Sequence, residues 1–138
     1  MSVFVLDCSV TMSWCFEDET DEYSPSILRQ LDESESAVPW IWTLEVANAL
    51  LTAERRGRLS EAETSRFLGM VQGLPILVDS APPARTMDEI VALGRRHNLT
   101  SYDAAYLELA IREGLPLATI DQRLRDAAAR VGVPILNR

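Results

Sequence analysis

Val3-Phe4-Val5-Leu6-Asp7 is an apolar run closed by a carboxylate. Its apolar residues are consecutive rather than alternating, the pattern of a strand buried on both faces. Residues 2–6 therefore read as a buried strand, with a short helix expected from about residue 9 to 16. Outward from this unit the pattern repeats. Helices are expected near residues 25–33, 43–56, 60–72, 82–96, 100–113 and 122–131, and strands at 37–40, 75–79, 117–119 and 133–136. Gly57, Gly114 and Gly132 act as helix stops, and Ser60 with Glu63 has capping-box spacing. Strands alternating with helices imply an α/β fold, a parallel sheet of about five strands covered on both faces by helices.

A length of 138 residues suits one domain with its own core, here residues 1–138 as a single unit. The longest apolar runs fall far short of the roughly 18 residues that span a bilayer, so no membrane association is expected. The N-terminus lacks the basic region and small-residue cleavage site of a signal peptide. Cys8 and Cys15, with His97 the lone histidine, define neither a disulfide framework nor a zinc site. These features imply a cytoplasmic protein with reduced thiols. The net charge of −8 argues at first against a nucleic-acid partner. Between Glu17 and Ser36, however, eight acids face Arg29 alone, which leaves the rest of the chain nearly neutral. That acidic lobe reads as a solvated helix pair that could also dock a basic segment of a partner protein. All 13 basic residues are arginine, which suits bidentate phosphate contacts but reads first as the bias of a GC-rich genome.

Four acids fall where a strand ends or a helix begins: Asp7, Glu45, Asp103 and Asp121. Each has an ordinary reading. Asp7 suits the turn after the first strand, and Glu45 suits the first turn of its helix, where an acid complements the dipole. Thr100 and Asp103 have capping spacing, and Asp121 suits an N-cap. Together they fall on one predicted edge, because the carboxyl ends of parallel strands line one crevice. Carboxylates gathered there repel one another unless a hard cation such as Mg²⁺ or Mn²⁺ lies between them. Glu45, Asn48 and Thr52 share a polar helical stripe, while Val46, Leu50 and Ala53 form an apolar one. Ser9 and Thr119, two residues from Asp7 and Asp121, offer supporting hydroxyls.

Val5-Leu-Asp-Cys-Ser-Val, Leu44-Glu-Val-Ala-Asn-Ala-Leu, Leu99-Thr-Ser-Tyr-Asp-Ala-Ala-Tyr-Leu and Ala118-Thr-Ile-Asp-Gln-Arg-Leu, in that order, resemble the four motifs of PIN-domain ribonucleases. They are most similar to the VapC toxins of type II toxin–antitoxin pairs. The resemblance covers the whole chain. It implies a three-layer PIN-like fold and a Mg²⁺- or Mn²⁺-dependent endoribonuclease that hydrolyses RNA with a metal-activated water, leaving 3′-hydroxyl and 5′-phosphate ends. Asp7, Glu45, Asp103 and Asp121 would form the catalytic and metal-binding quartet, supported by Ser9, Thr119 and Asn48. Asp126, one helical turn beyond Asp121, is a second candidate for the fourth role. Implied partners are the RNA substrate, a cognate antitoxin protein and a second copy of the chain, since the family is usually dimeric. The alternatives are a PIN nuclease of RNA processing and a catalytically inactive binding module.

The other candidates carry plainer readings. His97 suits a helix end beside Arg95 and Arg96, which leaves no histidine for a nucleophilic triad. Trp14, Trp40 and Trp42 suit core or partner contact ahead of base stacking. Arg55, Arg56 and Arg58 suit a solvated helix end, and Cys8 a small buried hydrophobe. A haloacid-dehalogenase-type phosphatase would need a second aspartate where Ser9 stands, and a response-regulator receiver would need a lysine.

Overall fold

The computed structural model describes residues 1–16, 21–81 and 83–137. Its elements run β1 (Ser2–Leu6), α1 (Cys8–Ser13), α2 (Tyr23–Gln30), β2 (Glu35–Val38), α3 (Ile41–Arg55), α4 (Glu61–Gln72), β3 (Ile76–Val78), α5 (Pro83–His97), α6 (Ser101–Glu113), β4 (Leu117–Ala118) and α7 (Gln122–Arg130). Every strand pairing is parallel, in the order β3-β2-β1-β4. Phe4, Val5 and Leu6 are fully buried, as the unbroken apolar run requires of a strand with neighbours on both sides and helices on both faces.

Strand order positions the site. From β1 the sheet grows outward through β2 and β3, and the chain then returns to lay β4 against the other side of β1. Val5 pairs with Leu117 and Leu6 with Ala118, and the Asp7 N–H donates to the Ala118 carbonyl at 3.0 Å. The gap between β1 and β4 is thus the topological switch point, where an open α/β sheet forms its crevice.

The local signals act as expected in most places. Ser60 Oγ accepts the Glu63 N–H at 3.1 Å, and Glu63 Oε1 accepts the Ser60 N–H at 3.0 Å, closing a full capping box on α4. Gly114 ends α6 at φ 66°, left-handed backbone that a Cβ would strain. Asn98 makes the corresponding turn after α5 at φ 55°, a conformation asparagine tolerates better than most residues. Residues 104–110 of α6 are all buried, so this helix is enclosed rather than amphipathic, lying against β1 and α5.

Two expectations need correction. The strand expected at residues 133–136 is reduced to a single parallel bridge, Leu117 to Ile135. Pro134 accounts for this, because it has no N–H to donate to a ladder; its carbonyl still accepts the Leu117 N–H at 2.9 Å. Also, α3 begins at Ile41, two residues before the expected start, so Glu45 stands beyond the first turn and the dipole no longer explains it. Of the acidic segment, Glu17, Asp18 and Glu19 lie outside the described residues, as does Pro82. Asp21 and Glu22 precede α2, and Asp32 and Glu33 follow it.

Candidate active site

Asp7 stands at the N-cap position of α1, yet its side chain makes no capping bond. It is 5% exposed, and its Oδ2 accepts hydrogen bonds from Ser9 Oγ at 2.6 Å and Thr119 Oγ1 at 2.7 Å. Thr119 is fully buried, and its Oγ1 also accepts the Asp121 N–H at 3.0 Å. One hydroxyl therefore ties the carboxylate at the end of β1 to the turn after β4. Ser9 Oγ accepts the Ile120 N–H at 3.3 Å from the same turn. Ser9 and Thr119 thus each bond both the Asp7 carboxylate and the turn after β4.

The other three carboxylates reach this crevice from three helices. Glu45 comes from α3, half buried, and its Oε1 accepts a hydrogen bond from the Tyr106 hydroxyl of α6 at 2.6 Å. Asp103 lies in the first turn of α6, where its own N–H donates to Thr100 Oγ1 at 3.1 Å. Asp121 is the N-cap of α7, and its Oδ1 accepts the N–H groups of Arg123 at 2.9 Å and Leu124 at 3.3 Å. At Asp121 the capping role is real, and proximity to the other acids comes in addition.

The four share one electrostatic environment. Burial raises the Asp7 carboxyl above its ordinary range, and the Asp121 charge adds to this against the two hydroxyl bonds. Burial likewise raises Glu45, opposed by the Tyr106 hydrogen bond and reinforced by Asp7 and Asp103. Asp103 is raised by burial and then by Asp121 and Asp7, with Arg123 a small opposing charge. Burial, with Asp7, Glu45 and the hydrogen bond to Glu45, holds the Tyr106 phenol firmly protonated, so it acts as a donor. The Cys8 thiol is pushed up by burial, Glu45 and Asp7, which leaves it unreactive.

Among the described residues no three acidic, histidine or cysteine side chains converge as a ready-made metal-ligand cluster. The arrangement fits instead a hydrated divalent cation, which takes one or two carboxylates directly and keeps several waters. The hydroxyls holding Asp7 carry no positive charge, so its own hydrogen bonds leave that demand unmet. Asn48 is exposed and lines a cleft of about 360 Å³ with Ile41, Leu44, Glu45 and Tyr102. Asp126 is exposed and accepts Gln122 Nε2 at 2.8 Å, and it is absent from the charges acting on Asp7, Glu45 and Asp103.

Outside the crevice, Trp42 is buried and donates to Thr11 Oγ1 at 3.0 Å, Trp14 donates to the Ser24 carbonyl at 2.7 Å, and Trp40 is exposed. Arg55 and Arg56 are exposed, and Arg58 lies 4.0 Å over the Phe16 ring. His97 Nδ1 accepts Arg130 Nε at 3.4 Å at the end of α5. The Tyr106 contact was missed from sequence. Its only signal was a tyrosine one turn beyond Asp103, which reads equally well as core.

Fold and crevice define the class of protein. The PIN domain family matches residues 4–130. The chain is 30% identical over 122 residues to ribonuclease VapC3 of Pyrobaculum aerophilum, covering 88% of this chain and 92% of that protein. It is 36% identical over 104 residues to ribonuclease VapC1 of Mycobacterium tuberculosis, covering 75% and 74% respectively. The crystal structure of PAE2754 from Pyrobaculum aerophilum superimposes with a TM-score of 0.71 at 26% identity, over 91% of this chain and 84% of that one. The chain belongs to the PIN-domain family and, within it, to the VapC ribonucleases.

Proposed function

We propose that the protein is a metal-dependent endoribonuclease and the toxin of a type II toxin–antitoxin pair, with Asp7, Glu45, Asp103 and Asp121 as its catalytic and metal-binding quartet. The observation that carries this reading is Asp7: a nearly buried carboxylate at the sheet's switch point, held by neutral hydroxyls and surrounded by three further acids. The relatives named ribonuclease support RNA as the substrate.

Asp7 and Asp103 would hold Mg²⁺ or Mn²⁺, with Glu45 and Asp121 completing the site directly or through water. Such an ion, when bound, supplies positive charge to the scissile phosphate and lowers the pKa of a water. Ser9 and Thr119 orient the Asp7 carboxylate through Oδ2, and Thr119 couples it to the Asp121 turn. Arg125 Nε donates to the Thr119 carbonyl at 2.7 Å and so fastens that turn from α7. Asn48, which shares a cleft with Glu45, would meet the substrate. No protein nucleophile is needed.

The remaining parts of the reading have more general support. A homodimer is part of the reading because the chain belongs to the VapC family. Cys8 and Cys15, which form no disulfide, suit a cytoplasmic protein, and among the described residues no helix is long and apolar enough to cross a membrane. A basic segment of the antitoxin would suit the acidic surface about α2, where Asp21, Glu22 and Glu33 line an open groove.

Purified protein, freed of any partner, should cleave total RNA and a circular RNA in Mg²⁺ or Mn²⁺, stop in EDTA, and lose cleavage in a folded Asp7→Ala variant. Wild-type cleavage by Asp7→Ala would overturn the assignment. Absence of Mn²⁺ binding by the folded wild type would favour an inactive binding module. Growth arrest on expression, relieved by the neighbouring gene's product, separates a toxin from an RNA-processing nuclease.

A further inference from the structure

We infer that Tyr106 is a positioning residue for this site: its buried hydroxyl holds the Glu45 carboxylate in the orientation that faces the metal and the substrate. The inference rests on the proposed nuclease reading and extends it to a residue outside the acidic quartet.

Tyr106 is fully buried at the centre of α6, and its hydroxyl donates to Glu45 Oε1 at 2.6 Å, a short bond of the charge-assisted kind. A phenylalanine would fill the same volume with no polar group to satisfy. A phenol in such surroundings needs a partner, and here that partner is a site carboxylate. Tyr106 follows Asp103 by three residues on the same helix, so the two lie on one face. α6 thereby supplies one carboxylate directly and, one turn later, the donor that fixes a second carboxylate on α3. The relative placement of Glu45 and Asp103 is set by a helix buried along residues 104–110 instead of by the freedom of a half-buried glutamate side chain. Outer-shell hydrogen bonds of this kind fix the orientation of a ligand and so its readiness to coordinate.

The test is Mn²⁺ binding by calorimetry, with RNA cleavage alongside, for wild type, Tyr106→Phe, Glu45→Ala and the double variant. Tyr106→Phe should weaken Mn²⁺ binding on the order of tenfold or more, and should lower kcat with KM for RNA little changed. In the Glu45→Ala background the same change should cost nothing further, because the residue acts through Glu45. An affinity for Mn²⁺ within twofold of wild type in Tyr106→Phe, or an equal loss in both backgrounds, overturns the inference. A second measurement does not depend on the variant folding. In wild-type protein the Tyr106 phenolic proton should give a protected, downfield NMR resonance, and its absence would also overturn the inference. A wild type that neither binds Mn²⁺ nor cleaves RNA, yet shows that proton, instead overturns the nuclease reading and leaves the hydrogen bond purely structural.

Discussion

Asp7 is a residue whose environment opposes its charge. It is nearly buried, its carboxyl is raised by that burial and by Asp121, and the hydroxyls of Ser9 and Thr119 only partly compensate. Without metal, the folded state therefore binds a proton at Asp7 more readily than the unfolded chain does, and Glu45 and Asp103 behave alike. For a raised carboxyl the sign is unfavourable at neutral pH: stability is lower above the folded pKa and rises as pH falls from there toward the ordinary carboxylate range. Metal-free protein should accordingly gain Tm on acidification from pH 7 across that window. Asp7→Asn keeps an oxygen acceptor for both hydroxyls and removes the charge. It should raise the metal-free Tm at pH 7, flatten the pH dependence and abolish cleavage. A metal-free Tm lower than wild type in Asp7→Asn would contradict this account.

Among the elements, β3 and α6 are joined by one arginine. Arg112 donates from Nη2 to Asp79 Oδ2 at 2.6 Å and from Nε to Glu108 Oε2 at 2.9 Å. It thereby links the residue after the edge strand to the far end of the helix that carries Asp103 and Tyr106. Glu108 is buried, so Arg112→Ala would leave its charge without this partner. The expected cost is about 2–3 kcal/mol, below the figure for a fully buried pair because Arg112 and Asp79 are partly exposed. Urea denaturation should show it as a lower midpoint, while cleavage below that midpoint remains near wild type. A midpoint shift under about 0.5 kcal/mol would place this network with ordinary surface ion pairs.

At the scale of the whole molecule, a net charge of −8 and an acidic crevice oppose a polyanionic substrate, and a bound divalent cation would offset part of that repulsion where the phosphate must sit. If such an ion is held by the folded crevice and not by the dispersed acids of the unfolded chain, as proposed, Mn²⁺ should raise the Tm in proportion to the logarithm of its concentration. The stabilisation should be about 2.7 kcal/mol at a hundred times Kd. EDTA should reverse the shift, and the Asp7→Asn variant should show little of it. Differential scanning fluorimetry across a Mn²⁺ series measures this directly. A shift of the same size in Asp7→Asn would move the binding elsewhere on the surface.

The sequence by itself determined the α/β class, most helix and strand positions, the caps at Ser60, Thr100 and Gly114, and the four acids. Each rests on local chemistry: unbroken apolar runs, hydroxyl caps and glycine's access to left-handed backbone. Only the tertiary structure decided which residues meet. Thr119 donates to Asp7 across 112 positions of the chain, because β4 returns to the far side of β1. Tyr106 reaches Glu45 across 61 positions, because α6 is enclosed beside the sheet. Strand order and helix enclosure follow from the burial of whole faces, a property of the assembled layers that no local window contains. For the same reason the last strand, plausible from its apolar residues, shrank to a single bridge between Leu117 and Ile135, since Pro134 beside it has no N–H for the ladder.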